Sequence, residues 1–405
     1  MKLRRCRSCN SKKLKKLLSL GNMCFTGKFP KAKQTIQKKP ITLVICLNCE
    51  LVQLGHNFNL RYLYGPDYGY RTGINKTMRD HVKKVTKYLS KKTNLKKNDL
   101  VLDIASNDGC LLNFYNKNVI TFGIDPILKK YKKEYKNINY KVSDFFSKKI
   151  IERHVKRKFK IITALSVFYD AAKPNKFLSD AKEILSKDGI FLLEFADLFS
   201  IIKFKMFDTI CHEHLEYYSS KVIINLAKKN NLRVFDIKKN NINGSSKQFY
   251  LCHRDAVYKS NKKVINNELK IEAKSKLQKI NTFKKFEKEI NELRIKLLYF
   301  LNEKKNKGKS VHGYGASTKG NVLLQYFDIG NDLVKYIAER NKNKFNLYTP
   351  GSKIKIISEK YSRALKPDFY LVLPWHFKRE ILMRERKIRE KGTQFIFPLP
   401  KLKIL

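Results

Sequence analysis

The sequence predicts an α/β protein that is built from more than one domain. A buried strand, Leu100 to Ile104, leads into a turn of small residues, and the later segment "DAKEILSKDGIFLLEF" fits a helix, a glycine turn and a second strand. Such alternation is typical of a sheet with helices on its faces. The 405 residues exceed one ordinary domain and suit two or three, each able to bury its own core.

The composition is that of a folded protein with a strong excess of positive charge. Hydrophobic residues make up 42% of the chain, and 87 basic residues outnumber 35 acidic ones, giving a net charge of +52. Such a chain could bind nucleic acid or an anionic lipid surface. Because lysine, asparagine and isoleucine are abundant along the whole sequence, we favour a compositional bias over a dedicated basic surface.

We expect neither a membrane span nor a secretory signal in this sequence. None of its apolar stretches approaches the roughly 18 residues that a membrane span needs. The opening, "MKLRRCRSCNSKK", is basic but lacks the apolar run of a secretory signal. We therefore expect a soluble, cytoplasmic protein with no membrane partner.

Four of the eight cysteines form two CxxC pairs, which in a reducing compartment are more often metal ligands than disulfides. The pairs are Cys6 with Cys9 and Cys46 with Cys49. Each CxxC turn can direct two thiolates at one ion, and two turns complete the closed, tetrahedral coordination of structural Zn²⁺. The pattern predicts a structural zinc site; two coincidental pairs of buried thiols are the alternative.

The turn after the first buried strand has the features of a cofactor cradle. It spans Ala105 to Gly109, and we expect an apolar helix from Cys110 to Tyr115. The backbone there can approach a ligand closely, and Asp103 can accept hydrogen bonds from an ammonium or hydroxyl group. The turn lacks the GxGxxG of nicotinamide sites, and only Gly109 remains of the glycines in DxGxGxG, the usual methyltransferase pattern.

Two further segments extend this cradle along the predicted sheet. The strand "VITFGIDP" places Asp125 about 20 residues after the first loop, where a carboxylate can hold both ribose hydroxyls. The segment "SDFF" puts Asp144 and Phe145 where a third strand ends, within reach of an adenine amine and ring. These features favour a cationic cofactor that contains a nucleoside; a generic α/β domain is the alternative.

The densest group of reactive side chains lies in "FDTICHEHLEYYS", after the last strong strand. His212, Glu213 and His214 are adjacent there, with Tyr217 and Tyr218 just beyond. In a strand the two histidines would point to opposite sides, unlike the HExxH pair that shares one helix face around zinc. One imidazole and one carboxylate suit proton transfer; a second metal site and a structural cluster are the alternatives.

The C-terminal third begins with a helical pattern and continues into a second glycine-rich loop. Apolar residues recur at three- and four-residue intervals between Lys262 and Lys307, which suggests a helical connector. "SVHGYGASTKGN" then fits a strand, a loop and a helix start, where Ser317, Thr318 and Lys319 could meet a diphosphate. A glycine turn required only by packing is the alternative.

Together these blocks resemble one family, the nucleotide-sugar C-methyltransferases, which install branched methyl groups on deoxysugars. The resemblance runs from end to end and rests on the paired cysteines and on "YGYRTGINKTMRDH", "LDIASNDG", "GIDP", "FDTICHEHLEYYS", "GYGASTKGN" and "LVLPWHF", in the family's order. It implies a zinc-binding domain at 1–75, a central Rossmann-like class I methyltransferase domain at 76–258, and a connecting helix with a second Rossmann-like domain at 259–405.

The resemblance also implies roles for individual residues. His214 matches the catalytic base, which Glu213 and His212 would support or orient. The residues that would bind S-adenosyl-L-methionine are Tyr68, Tyr70, Asp103, Ala105, Ser106, Asn107, Gly109, Asp125, Asp144 and Phe145. Those that would form the nucleotide-sugar cleft are Gly315, Ser317, Thr318, Lys319, Asn321, Arg340, Tyr348, Trp375 and His376.

Three positions depart from the family's pattern. Ala105 replaces the usual first glycine of the cofactor loop, which demands a slightly wider approach of the backbone. Cys211 lies where relatives often carry tyrosine, and Asp170 lies where some carry histidine. Either could alter the choice of sugar or the carbon that is methylated.

The resemblance implies carbon methylation of a 4-keto-6-deoxy nucleotide sugar, as in the dTDP-4-keto-deoxysugar 3-C-methyltransferases. A sugar carbon becomes nucleophilic only beside a carbonyl, so a base must first remove the α-proton. We expect a monomer or a weak homo-oligomer that does not bind nucleic acid. The alternatives are an RNA or other nucleic-acid methyltransferase and a non-catalytic binding protein of the same fold.

Overall fold

The computed structural model describes residues 1–65 and 68–405, and their strands form three β-sheets. The strands are β1 Leu14–Cys24, β2 Lys38–Cys46, β3 Val52–Leu54, β4 Leu100–Ile104, β5 Ile120–Ile124, β6 Tyr140–Val142, β7 Phe159–Leu165, β8 Leu185–Phe195, β9 Glu216–Tyr217, β10 Leu232–Asn240, β11 Ser246–His253, β12 Val311–Tyr314, β13 Tyr336–Glu339, β14 Lys355–Ser358, β15 Phe369–Val372, β16 Gln394–Phe397 and β17 Lys403–Ile404.

The helices connect and cover these sheets. They are α1 Leu60–Leu63, α2 Lys76–Lys92, α3 Lys148–Ile151, α4 Pro174–Ile184, α5 Leu198–Lys203, α6 Ser220–Lys229, α7 Lys262–Lys274, α8 Ile280–Asn306, α9 Thr318–Phe327, α10 Glu359–Ala364, α11 Lys378–Arg384 and α12 Arg386–Arg389. Within the described residues, no helix is both long and apolar enough to cross a membrane.

The N-terminal sheet is antiparallel and takes one strand from a distant part of the chain. Its order is β1–β2–β3–β9, and β9 directly follows the segment that contains His212 and His214. Val52 pairs with Tyr217 across β3 and β9. This pairing holds the histidine segment against the N-terminal region.

The central sheet has the order β10–β11–β8–β7–β4–β5–β6. Strands β4 to β8 run parallel, whereas β11 is antiparallel to both of its neighbours. Strand β4 is buried along its whole length, as is usual where helices cover both faces of a parallel sheet. Because β4 lies between β5 and β7, the loops that follow these three strands meet at one edge of the sheet.

The C-terminal sheet repeats this plan with the order β14–β13–β12–β15–β16–β17. Its first strand, β12, pairs in parallel with β13 on one side and with β15 on the other, and only the short β17 joins its neighbour antiparallel. The loop after β12 therefore lies at the same kind of switch point as the loop after β4. The two predicted Rossmann-like sheets are both confirmed.

The helical pattern of the C-terminal third forms two helices, α7 and α8, instead of one. The buried residues of α8 share one face and are Phe283, Phe286, Ile290, Leu293, Leu297 and Leu301. They belong to one hydrophobic core with Leu18 of β1 and Leu371 of β15. Helix α8 is therefore part of the interface between the N-terminal and C-terminal sheets, not merely a connector.

Two local expectations were wrong. The helix predicted from Cys110 to Tyr115 is only a 3-10 turn at Leu112–Phe114, since the side chain of Asn113 bonds across to residue 134 and Asn116 closes its own turn. The segment from His212 to His214 is a bend and not a strand. The two histidines nevertheless face different surroundings.

Candidate active site

The four cysteines of the CxxC pairs come together in the N-terminal region. The sulfur atoms of Cys6, Cys9, Cys46 and Cys49 all lie within 4.8 Å of one another. The Cys9–Cys46 and Cys6–Cys49 sulfur distances are 3.4 and 3.5 Å. Thiolates at about 2.3 Å from Zn²⁺ in a regular tetrahedron are about 3.8 Å apart, so donors and spacing fit structural zinc.

Arg7, between the first two cysteines, connects the metal site to the histidine segment. Its guanidinium donates to the carbonyls of Leu54 and His56 at 2.8 Å each and lies 3.7 Å from the carboxylate of Glu216. Glu216 begins β9, two residues after His214. An ordered zinc site therefore helps to fix the backbone next to His214.

A cavity of about 440 Å³ opens where the parallel strands of the central sheet end. Nine of the ten predicted cofactor residues line it: Tyr68, Tyr70, Asp103, Ala105, Ser106, Asn107, Asp125, Asp144 and Phe145. Gly109 lies outside the lining and shapes the loop instead. Its φ is +70°, and a Cβ there would lie 2.8 Å from Ile138.

Two buried aspartates organise the loop after β4. Asp125 accepts hydrogen bonds from the backbone N–H of Asn107 and of Ile127 at 2.8 Å each, and Asp103 accepts one from the hydroxyl of Thr163 at 2.6 Å. Burial raises the pKa of Asp103 to about 7 and that of Asp125 to about 6. A bound cation would favour the ionised form of both.

Ala105 occupies the left-handed backbone region, with φ of +57°. This region is costly for any residue with a Cβ and is most readily adopted by glycine. This conformation explains why glycine is usual at this position. The loop keeps the same turn here although the residue is alanine.

The cofactor loop holds the segment that carries Tyr68 and Tyr70 over the cavity. The side chain of Asn107 donates to the Tyr70 carbonyl at 3.2 Å and accepts from the N–H of Thr72 at 3.0 Å. The carboxylate of Asp108 accepts from the N–H of residue 73 at 2.9 Å. The N-terminal segment therefore forms one wall of the cavity.

A second cavity, of about 230 Å³, adjoins the first and reaches the C-terminal sheet. Of the described residues, five line both cavities: Tyr68, Tyr70, Ser166, Tyr169 and His214. His214 therefore lies at the junction between the cofactor loop and the C-terminal glycine-rich loop. A ligand in either cavity can reach its imidazole.

The hydrogen bond at Nδ1 determines which ring nitrogen of His214 carries the proton. Nδ1 lies 2.7 Å from the carbonyl of Thr209, which can only accept, so Nδ1 is the donor and Nε2 keeps its lone pair. Burial lowers the pKa of His214 to about 4, against the opposing effect of Glu213. The ring of Tyr169, 4.1 Å away centre to centre, packs against the imidazole.

Glu213 and His212 have different surroundings from His214. Glu213 lines the second cavity and accepts from the N–H of Gly27 at 3.1 Å. His212 lines neither cavity: its Nε2 bonds to the carbonyl of Lys39, and its ring packs against Phe25 and Phe58. The bend turns His212 into the N-terminal region, away from both cavities, and a supporting or orienting role for His212 and Glu213 stays a prediction.

The second cavity contains six of the nine predicted substrate residues: Gly315, Ser317, Thr318, Lys319, Arg340 and His376. The hydroxyl of Ser317 caps α9 and accepts from the N–H of Gly320 at 3.0 Å. The positive end of α9 therefore faces this cavity.

The other three predicted substrate residues lie outside the lining of this cavity, and their part in a nucleotide-sugar cleft stays a prediction. Asn321 donates to the carbonyl of Thr26 at 2.7 Å, and the indole of Trp375 donates to Asp208 at 2.8 Å. The backbone of Tyr348 is bonded to the N-terminal region. These residues connect parts of the chain around the cavity.

Three family models match successive parts of the chain. Residues 6–64 match a domain described as zinc binding, residues 74–237 a methyltransferase domain and residues 241–400 the C-methyltransferase C-terminal domain. The C-methyltransferase NovU of Streptomyces niveus is 26% identical over 372 residues, which cover 90% of this chain and 87% of NovU. The chain is an S-adenosylmethionine-dependent methyltransferase, and it is similar to the C-methyltransferases over most of its length.

Solved structures of methyltransferases also resemble part of this chain. An S-adenosylmethionine-dependent methyltransferase from Clostridium acetobutylicum has 12% identity and a TM-score of 0.36, covering 43% of this chain and 92% of that one. Magnesium protoporphyrin IX methyltransferase from Synechocystis, with bound SAH, has 13% identity and a TM-score of 0.35, covering 46% and 90%. The assignment depends on the sequence matches, not on these likenesses.

The first cavity suits S-adenosylmethionine, which is a cation with a ribose and an adenine. Asp103 and Asp125 present buried carboxylates at its floor, and Asp144 and Phe145 lie at the end of the third parallel strand. Carboxylate oxygens can accept from the ammonium and the ribose hydroxyls, and an aromatic ring can cover the adenine.

The sequence reasoning missed three residues of the methyltransferase site. Glu339, at the end of β13, accepts from the N–H of Ala316 at 2.7 Å, as Asp125 does from Asn107. An acidic residue after the second strand of the C-terminal sheet was the signal that could have revealed it. No sequence signal points to Tyr169 or Thr209, because Tyr169 only packs its ring against His214 and Thr209 only offers its backbone carbonyl.

Two positions that depart from the family lie in different environments. Asp170 lines the first cavity and accepts from the hydroxyl of Tyr64 at 2.6 Å, and burial raises its pKa well above the usual range. Cys211 is only 1% exposed and is part of the hydrophobic core. Of the two, Asp170 is placed where a ligand can reach it.

Proposed function

We propose that this methyltransferase adds a methyl group to the ring carbon beside the ketone of a 4-keto-6-deoxy nucleotide sugar, with His214 as the base. One observation carries the proposal: His214 lies where the two cavities meet, so a sugar in the second can face the methyl donor in the first. We place this activity in the cytoplasm, where cysteine ligands stay reduced.

The environment of His214 supports a role as base. The imidazole is neutral near pH 7, and Nε2 is the nitrogen available to accept a proton. The Thr209 carbonyl stabilises the imidazolium that forms, because it accepts from Nδ1 in both protonation states. S-adenosylmethionine, when bound, supplies an electrophilic methyl group for the carbon that has lost its proton.

The second cavity offers groups that suit a nucleotide diphosphate. The capped start of α9 provides backbone N–H groups and the positive end of a helix dipole. Arg340 lines the same cavity, and its guanidinium is positioned by a 2.6 Å hydrogen bond to Asn75. These groups would bind the diphosphate, so that the hexose of the substrate would point toward His214.

The test is to incubate the enzyme with labelled S-adenosylmethionine and a panel of keto-sugar nucleotides, with RNA as a further acceptor. We expect label on a carbon next to the ketone, located by mass spectrometry and NMR. Label in RNA, or none in any keto sugar, would overturn the proposal.

We expect His214→Asn to reduce methylation by about 100- to 10,000-fold, because the variant has no base for the α-proton. Cofactor affinity, measured by calorimetry, should change by less than about twofold, since one cavity-lining side chain is exchanged for another of similar polarity. The matched control is His154→Asn, at an exposed histidine, which should keep normal turnover. Near-normal methylation by His214→Asn would refute the assignment.

A further inference from the structure

Lys319, at the start of α9, lines the second cavity, as does the proposed base His214. Its ammonium donates to the carbonyl of Asn243 at 3.0 Å and lies 3.9 Å from the carboxylate of Asp208. The indole of Trp375 covers it, with 5.6 Å between Nζ and the ring centre. The side chain is 15% exposed, so protein groups and not bulk water surround most of its length.

One short turn positions both Lys319 and His214. Asp208 forms the ion pair with Lys319, and the next residue, Thr209, provides the carbonyl that bonds to His214. The carboxylate of Asp208 also accepts a hydrogen bond from the indole of Trp375 at 2.8 Å, which restricts its rotation. The ammonium and the imidazole are therefore held on the same rigid support.

The ammonium retains the capacity for one more hydrogen bond. It has three N–H donors, and among the described residues its close oxygen partners are the Asn243 carbonyl and Asp208. The cavity that Lys319 lines also contains His214. The charge of Lys319 contributes, after burial, to the low pKa of His214, so the two groups interact.

The chemistry of proton removal requires a group of this kind. A base with a pKa of about 4 is weak, and it can remove an α-proton only if the resulting negative charge is stabilised. Resting on the proposed function, we infer that Lys319 donates to the ketone oxygen and stabilises the enolate that forms when His214 takes the α-proton.

In this step the C–H bond breaks, a bond forms between the proton and Nε2 of His214, and the electron pair moves onto the ketone oxygen. Lys319 keeps its three protons and meets the new negative charge. Its partner in the substrate is then the reacting carbonyl and not the diphosphate that the sequence pattern suggests for it.

The experiment measures exchange of the α-hydrogen for deuterium by NMR, in D₂O, with S-adenosylhomocysteine in place of the methyl donor. For Lys319→Met we expect exchange about 100- to 1,000-fold slower, and for Lys319→Arg a partial recovery. Lys270→Met, at an exposed lysine of α7, is the control with normal exchange. Melting temperature and S-adenosylhomocysteine affinity show whether each variant is folded.

A second measurement separates this role from a structural one. Because Lys319 lowers the pKa of His214, its removal should move the acid limb of the exchange profile upward from about pH 4. If Lys319→Met does not fold, Lys319→Ala with added ethylammonium replaces it. Saturable recovery of exchange supports the inference, and no recovery in a folded protein overturns it.

The remaining outcomes distinguish the inference from the function on which it rests. A higher KM with normal exchange at saturation would identify a diphosphate contact and overturn the inference, while the proposed function stands. If the wild-type enzyme exchanges no keto sugar in the panel, the proposed function fails and the inference fails with it.

Discussion

The loops after β4 and β12 are built alike but face cavities of different charge. In each, a backbone N–H of the loop donates to an acidic residue at the end of the next strand: Asn107 to Asp125 at 2.8 Å, and Ala316 to Glu339 at 2.7 Å. The carboxylate thereby fixes the loop at the switch point of its sheet.

The surroundings of the two loops differ. Among the residues that the structure describes, six carboxylates and two lysines line the first cavity, whereas four carboxylates and five lysines or arginines line the second. The loop after β4 leads only into a 3-10 turn, whereas the loop after β12 leads into the capped helix α9. One scaffold thus provides an acidic site suited to a sulfonium cofactor and a more basic site suited to a diphosphate.

The most direct test of this comparison is to neutralise Asp125 and Glu339 in turn and to measure the binding of both ligands to each variant. We expect Asp125→Asn to weaken S-adenosylmethionine binding by about 10- to 100-fold, because charge-assisted hydrogen bonds contribute about 1.5 to 3 kcal/mol. Glu339→Gln should raise the KM for the sugar nucleotide by a similar factor. Calorimetry and initial rates provide the two measurements.

Each variant is the control for the other. Asp125→Asn should leave the KM for the sugar within about threefold, and Glu339→Gln should leave cofactor affinity equally unchanged, since each carboxylate lines only one cavity. Parallel losses of both ligands in either variant would show that the carboxylates support the whole fold and that the two loops do not serve separate ligands.

Local patterns predicted that the residues of the first cavity lie together, because these residues follow consecutive strands of one sheet. Strand β4 has the predicted bounds, and Asp103 and Asp125 lie at its switch point. The chemistry of each residue type and the direction of the chain were enough to place them.

The second cavity was less predictable because three parts of the chain build it. His212 and His214 are equivalent in a local pattern, yet one packs against Phe25 and Phe58 and the other faces the cavities. Tryptophan is a residue type that often contacts ligands, but the indole N–H of Trp375, its only side-chain donor, bonds to the buried Asp208. Long-range packing, which no local pattern contains, decides such cases.

The pH dependence of cofactor binding tests the acidic character of the first cavity. Burial raises the pKa of Asp103 to about 7 and that of Asp125 to about 6, so without a bound cation both are partly protonated near pH 6. A cation binds the ionised form better, so cofactor affinity should increase from pH 5 to pH 8, by up to about tenfold per unit below the pKa. Binding at pH 6 should release protons.

Calorimetry in two buffers with different ionisation enthalpies measures that release directly. Asp103→Asn should flatten the dependence near pH 7, whereas the Glu339→Gln variant should keep it. Affinity that stays constant from pH 5 to pH 8 in the wild-type protein would show that neither aspartate changes its protonation when the cofactor binds.

The smallest expected effect concerns the backbone of the first loop, where Ala105 takes a glycine-like conformation that the second loop gives to Gly315, at φ of +83°. We expect Ala105→Gly to stabilise the protein by up to about 1 kcal/mol, because relief of left-handed strain exceeds the entropy that glycine costs in the unfolded chain. Chemical denaturation measures the change.

Ala273→Gly, in the ordinary helical backbone of α7, is the control and should destabilise the protein by about 1 kcal/mol instead. Equal destabilisation by both substitutions would mean that the loop after β4 tolerates alanine without strain, and that the two loops differ in backbone energetics as well as in charge.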